Sequence, residues 1–166
     1  MAVAPLYPGD DVVDQTVDII ISGHLCLDLI PEMSGFTAEA IAPGRLLETG
    51  PLRISTGGTV SNTGLALLRL GARVGLMATI GDDLLGQAII SFLKDRDEQL
   101  AQFVRVQPGL ASSYSVVLSP GNTDRTFLHH TGTNATFGVD DVDYALVRQA
   151  RVFHLGYPPL LPRLIA

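Results

Sequence analysis

Cysteine is almost missing from this chain. Cys26 is the only one, so no intrachain disulfide can form, and a reducing, cytoplasmic compartment is the natural expectation. Lysine is equally scarce: Lys94 stands alone, and the 11 basic residues are scattered against 17 acidic ones for a net charge of −6. An acidic chain with no basic cluster argues against a nucleic-acid partner and against an anionic membrane surface. Residues 1–16 carry Pro5, Pro8, Asp10, Asp11 and Asp14 but lack the basic start and apolar stretch of a signal peptide. They read as a flexible leader. The longest apolar run, near Ile19–Ile30, is interrupted by Ser22, Gly23, His24 and Asp28, too short and too polar for a membrane span.

Several chemical signatures are missing as well. No G-x-G-x-x-G follows the first predicted strand, and no G-x-x-x-x-G-K-[ST] phosphate loop occurs anywhere, which disfavours a dinucleotide-binding oxidoreductase. There is no G-x-S-x-G elbow for a nucleophilic serine. His24, His129, His130 and His154 never show the i, i+4 spacing of a helical metal site. His129 and His130 are neighbours on a predicted strand and point to opposite faces, so one of them can reach a pocket. His154 falls in a buried strand, where a satisfied core histidine is the expected role.

What remains is a hydrophobic, globular chain. Its 166 residues are 46% hydrophobic and only 17% charged, enough for one domain with a sizeable core. Val17–Gly23 is β-rich and apolar on both faces, as in a central parallel strand. Asp28 is then expected at or just past that strand's carboxyl end, where open α/β sheets bind ligands. It could accept from vicinal hydroxyls, or simply cap a turn. Between Pro31 and Pro51, weak alternation through Leu46–Ile54 predicts short, partly exposed strands. A helix over Thr59–Leu70 ends at Gly71, a good left-handed cap. Arg73–Ile80 is a second buried strand, followed by a helix from Leu84 to about Arg96 that Asp82 or Asp83 can cap. Capping is a better reading of that acidic pair than metal binding, because adjacent side chains diverge at a helix start. Gln102–Val106 is a short strand. Ser113–Leu118 and Arg125–His130 read as a hairpin. Asp140–Ala150 is predicted helical and Arg151–Gly156 is another buried strand. Alternating strands and helices predict a layered α/β fold with right-handed crossovers. The hairpin and the Leu46–Ile54 segment stand outside that alternation and are expected to form a separate small sheet. Leu160–Ala166 reads as the opening of a helix with nothing after it, so a truncated piece of a longer fold is expected.

The most distinctive stretch is Gly57-Gly58-Thr59-Val60-Ser61-Asn62 at the mouth of the first helix. Paired glycines there either serve an ordinary strand-to-helix turn or let a ligand approach the unpartnered first-turn N–H groups. With the Asn62 amide one turn in, such a start suits hydroxyls or phosphates.

Taken in order, these pieces resemble the ribokinase (PfkB) family of carbohydrate and nucleoside kinases, from Val17 to about Tyr157. Ile20–Asp28 resembles that family's first strand with its sugar-binding aspartate. Gly57–Asn62 running to Arg69-Leu70-Gly71 matches the signature G-G-x-x-x-N followed by a helix ending in R-L-G. Ile80–Gly86 matches its continuation, and Thr131–Ala135 resembles the G-A-N-A turn. The resemblance implies a three-layer, Rossmann-like, mostly parallel sheet with helices on both faces, plus a small β-sheet lid built from segments near 29–56 and 112–130. It implies that Asp28, Gly57, Gly58 and Asn62 hold a sugar or nucleoside, with Ser115, Val117, Phe127 and His129 as inward lid positions, and that the lid can pair two copies. ATP and Mg2+ would serve the full-length kinase, which moves the γ-phosphoryl of ATP to a sugar hydroxyl. The family's second signature, D-T-x-G-A-G-D, carries the catalytic aspartate and most of the nucleotide site. It does not occur here, so no catalytic residue is expected among these 166 and neither cofactor should bind them well. A non-catalytic sugar- or nucleoside-binding module is the competing expectation. Thr59 replaces the lysine of ribokinases proper, and Gly156-Tyr157 replaces their sugar-contacting glutamate, which points away from ribose itself.

Overall fold

The protein is described by a computed structural model covering residues 17–121 and 123–165; the expected leader over 1–16 lies outside them. Strand β1 (Ile19–Gly23) occupies the middle of a first sheet. Its neighbours are β4 (Val74–Gly81) and β8 (Val152–Gly156), with β5 (Val104–Gln107) beyond β4. The order is β5-β4-β1-β8, and every pairing is parallel. The β4 run Val74–Gly81 is buried throughout, which is how a strand covered on both faces should read.

Helices α1 (Gly58–Arg69) and α2 (Leu84–Lys94) cover one face of this sheet. Ile21, Leu76, Ala78 and Ile80 from the strands meet Val60, Ile89 and Leu93 from the helices in the main core. On the opposite face a smaller cluster joins Val17, Ile20 and Met77 to Leu146 of α3 (Tyr144–Gln149). Two devices close the first crossovers. Gly71 takes φ +87, the left-handed turn that ends α1. Asp83 caps α2, its Oδ1 accepting from Gly86 N at 2.8 Å and from Ser112 Oγ at 2.6 Å.

A second sheet has the order β3-β2-β6-β7, made of β2 (Cys26–Pro31), β3 (Leu52–Gly57), β6 (Tyr114–Leu118) and β7 (Thr126–His130). β2 pairs antiparallel with β3 and parallel with β6, and β6 pairs antiparallel with β7, as the predicted hairpin requires. Asp28 therefore does not lie at the carboxyl end of the central strand. Gly23, at φ +119, ends β1, and the chain enters a strand of its own in the other sheet.

Three further expectations are corrected. Of the strands expected through Leu46–Ile54, only Leu52–Gly57 forms, while Leu46 is 97% exposed and has nothing to pack on. The helix expected over Asp140–Ala150 is split: a 3-10 turn at Val139–Asp141 precedes α3, because Asp143 starts a new helix by accepting from Ala145 N and Leu146 N. β8 is not a buried strand, since Val152, Phe153 and Leu155 are all partly open at the sheet's margin. The chain then makes a 3-10 turn at Pro158–Leu160 and the short α4 (Pro162–Ile165).

Candidate functional site

Asp28 is the centre of a polar row that crosses the second sheet. In register it stands opposite Ser55 on β3 and Ser115 on β6, and Ser115 stands opposite His129 on β7. Laterally paired residues share a face, so Ser55, Asp28, Ser115 and His129 project together. The alternate residues Leu27, Leu29 and Tyr114 turn the other way and pack on the main core. Period-two alternation thus aims one face at the helices and leaves the carboxylate on the other.

Short contacts tie the row together. Ser115 Oγ lies 3.0 Å from His129 Nδ1, and Cys26 Sγ donates to Asp28 Oδ1 at 3.4 Å. Burial raises the Asp28 carboxyl above its ordinary pKa, while hydrogen bonds from Cys26 and Ser115 and the nearby His129 pull it back. Burial, reinforced by the Asp28 charge, pushes the Cys26 thiol far up, so it stays a protonated donor. Burial lowers the His129 pKa, as does His130, and Asp28 partly opposes the shift.

The glycine pair has two separate duties. A Cβ on Gly57 would collide with the Asp28 carboxylate. Gly58 takes φ +81, and a Cβ there would collide with the His24 carbonyl oxygen. That carbonyl accepts the Val60 N–H at 3.1 Å, so this first-turn donor of α1 is already used. The loop carrying His24 is also held from behind: Asn134 Oδ1 accepts from Leu25 N at 3.3 Å, and Asn134 Nδ2 donates to Leu25 O at 2.9 Å. The turn Gly132–Ala135 is thereby a clamp on the segment that leads into Asp28.

Asp28, Gly57, Gly58, Ser115 and His129 are thus brought together. Val117 and Phe127 face each other one row farther out, Val117 buried and Phe127 half-exposed beneath the Arg125 guanidinium at 5.5 Å. Asn62 is exposed and lines a separate recess of about 280 Å3 with Ser55, Thr56, Arg69, Phe92 and Arg96. Sequence reasoning missed His24 and Tyr157, whose rings lie 5.8 Å apart; the His24 ring also meets His129 at 5.3 Å. Their signal was positional, since each follows a glycine at the carboxyl end of a core strand. Tyr157 adopts φ 58, a left-handed conformation strained for an aromatic residue. His154 is not the satisfied core histidine expected, because its Nε2 is buried without a hydrogen-bond partner. Among the described residues, no group of three or more His, Cys, Asp or Glu could hold a metal ion.

Residues 17–164 match the pfkB family carbohydrate kinase profile. A fructokinase of Solanum tuberosum is 28% identical over 140 residues, covering 83% of this chain and 41% of that protein. A probable fructokinase-4 of Arabidopsis thaliana is 26% identical over the same share of this chain and 40% of its own length. The chain therefore spans about two fifths of the curated relatives it matches. Among solved structures, a ribokinase from Thermotoga maritima superposes with a TM-score of 0.67 at 14% identity, over 82% of this chain and 44% of that one. An Arabidopsis thaliana ribokinase complexed with ribose and ATP gives 0.66 at 18% identity, over 84% and 45%. These last two establish the ribokinase-like fold.

Proposed function

The chain belongs to the PfkB family of carbohydrate kinases, and from that premise we propose that it is the sugar-holding portion of an ATP-dependent sugar kinase. The observation that supports this reading is the Ser55–Asp28–Ser115–His129 row, a half-buried carboxylate flanked by neutral hydrogen-bonding groups on an open face. An ionised carboxylate accepts hydrogen bonds only, so Asp28 suits two neighbouring hydroxyls and repels phosphate. Ser115 and His129 offer donors and acceptors beside it. Gly57 and Gly58 keep the main chain close enough to form the opposite wall. The second sheet acts as the lid, its segments near 29–56 and 112–130 closing over the sugar and excluding water. Val117 and Phe127 belong to that lid farther out, and Asn62, in its separate recess, is left out of the sugar contacts.

The residues present do not fit MgATP. The chain has no glycine-rich phosphate cradle, and among the described residues no acidic cluster fits a metal. The base that takes the hydroxyl proton and the nucleotide site are assigned to sequence outside these residues, so the 166-residue chain should not turn over ATP alone. A non-catalytic sugar- or nucleoside-binding module is the second reading, favoured by the same row and the same missing motif. On the core-facing side of the lid, Leu29 packs against the core, but Ile54 and Leu128 on the outer strands β3 and β7 stay exposed, so a second copy is proposed to cover these two. No helix among the described residues is long and apolar enough to cross a membrane. The free, protonated Cys26 supports a reducing compartment such as the cytoplasm.

Calorimetric titration of the chain with fructose, ribose and inosine tests the reading. One of them should bind, and Asp28→Ala should weaken that binding by about 10- to 100-fold, the loss of charge-assisted hydrogen bonds worth about 1.5–3 kcal/mol. Unchanged affinity removes Asp28 from the site. MgATP-dependent phosphorylation by the full-length protein separates the kinase from the binding module.

A further inference from the structure

His24 carries an unmade hydrogen bond at the edge of this pocket. The residue is 7% exposed, and its Nε2 is buried with no partner. Its backbone is fastened on two sides: the N–H donates to Gly156 O at 3.4 Å and the carbonyl accepts from Val60 N at 3.1 Å. The ring is therefore carried at the junction of β1, β8 and α1, against His129 of the Asp28 row and against Tyr157.

Two costly features thus face one another beside Asp28. A buried polar nitrogen without a partner destabilises a fold, because water satisfied it before folding. An aromatic residue held at positive φ does so too. Unsatisfied groups and strained backbone of this kind gather where a ligand will complete them. His154 shares the unpartnered Nε2, but among the described residues no ring contact joins it to the Asp28 row.

We infer that His24 is a substrate-contacting residue of this pocket, its Nε2 completing a hydrogen bond with a hydroxyl of the bound sugar; this rests on the sugar-binding reading above. Burial first, and then neighbouring His129, lowers the His24 pKa to about 4, so the ring is neutral near pH 7. A neutral imidazole offers one N–H and one lone pair. That suits an uncharged hydroxyl, which can both donate and accept, and gives no advantage to an anionic ligand. The His129 and Tyr157 rings lie 5.3 and 5.8 Å from the His24 ring, so a sugar reaching the buried Nε2 requires neighbouring side chains to move.

The test is a pair of variants read by two measurements. His24→Phe keeps an aromatic ring and deletes both nitrogens; His24→Gln restores a hydrogen-bonding group. If Nε2 meets the sugar, His24→Phe weakens the binding of whichever probe (fructose, ribose or inosine) the chain takes by about tenfold. Its Tm without sugar is unchanged or higher, and His24→Gln recovers part of the affinity. If the residue is only structural, His24→Phe lowers Tm and leaves the affinity unchanged, which overturns the inference. A second readout avoids any folding defect: in 15N-histidine-labelled wild-type chain, the Nε2 resonance of His24 should move on saturation with the sugar, and an unmoved resonance overturns it. Loss of binding in Asp28→Ala with full affinity in His24→Phe removes His24 alone. Failure of the wild-type chain to bind any of the three probes removes the sugar-binding reading and this inference with it.

Discussion

The two sheets use the same residue chemistry to opposite ends. In the first, β4 is buried from Val74 to Gly81 and both faces of the sheet carry apolar clusters. In the second, only one face is pressed against the core, and the other presents Ser55, Asp28, Ser115 and His129. Apolar packing is therefore concentrated in one sheet and the open polar row in the other. The chain passes between them by two short links, the Gly23–Leu25 turn and the Gly57–Gly58 entry to α1, and by longer segments from β5 to β6 and from β7 to β8. A half-buried carboxylate and an unpartnered buried histidine nitrogen lower stability, and they are tolerated because the first sheet and its helices carry the fold.

That division can be broken most directly in the first sheet. Leu76 is fully buried between β4 and the helices, so Leu76→Ala should cost about 3 kcal/mol by deleting packed methyl groups and leaving a cavity. Urea unfolding with an unchanged slope would measure it. A loss near zero would mean that the first sheet is not the seat of stability. Next, Asp83→Ala removes the α2 cap and both bonds to Ser112, which fastens the β4–α2 turn to the loop before β6. It should cost about 2 kcal/mol and lower Tm without altering sugar affinity. An affinity loss matching that of Asp28→Ala would show that the sheets are coupled more tightly than their packing implies.

Acid sharpens the same contrast. The His24 pKa falls from 6.5 to about 4 on folding, so between those values the unfolded chain binds more protons than the native one. Its contribution to stability is thus fully present above pH 6.5 and is lost as pH falls towards 4, by up to about 3 kcal/mol. His129 acts in the same direction, whereas Asp28, raised by burial, gains stability as the pH drops through the carboxylate range. The urea midpoint should be lower at pH 4.5 than at pH 7, and His24→Phe should flatten most of that difference. An undiminished pH dependence in the variant would exclude His24 as its source. The smallest effect belongs to Leu128→Ala on the outer strand β7, where 55% exposure limits the change to within about 0.5 kcal/mol. If a second copy covers that strand, sedimentation should show weaker self-association with little change in Tm.

Much of the first sheet could be read from the sequence, because long apolar runs such as Arg73–Ile80 and the helical spacing of Leu85, Ala88, Ile89, Phe92 and Leu93 carry their own period. The Gly71 and Asp83 caps were equally plain, since cap chemistry is local. The second sheet was harder. Its hairpin announced itself, but β2 did not, because the apolar run Ile19–Ile30, though interrupted by polar residues, contains no loop-length break, and the turn at Gly23 (φ +119) divides it into strands of different sheets. Membership of a sheet is decided by non-local pairing, which no window of residues contains. Motif residues could be read from the sequence, and the structure brings Asp28, Gly57 and Gly58 together. His24 was passed over because an unmade hydrogen bond leaves no mark in sequence.

Gly57 and Asp28 have a consequence for how this protein can change over time. The space that a Cβ at residue 57 would fill is already taken by the Asp28 carboxylate. Position 57 cannot gain a side chain while the Asp28 carboxylate keeps its place, whereas a shorter residue at 28 would make room. A drifting copy that has lost the need to hold its ligand could cross that barrier in two steps, first at 28 and then at 57. Paired substitution there would be an early mark of a relative that has kept the fold and given up the pocket.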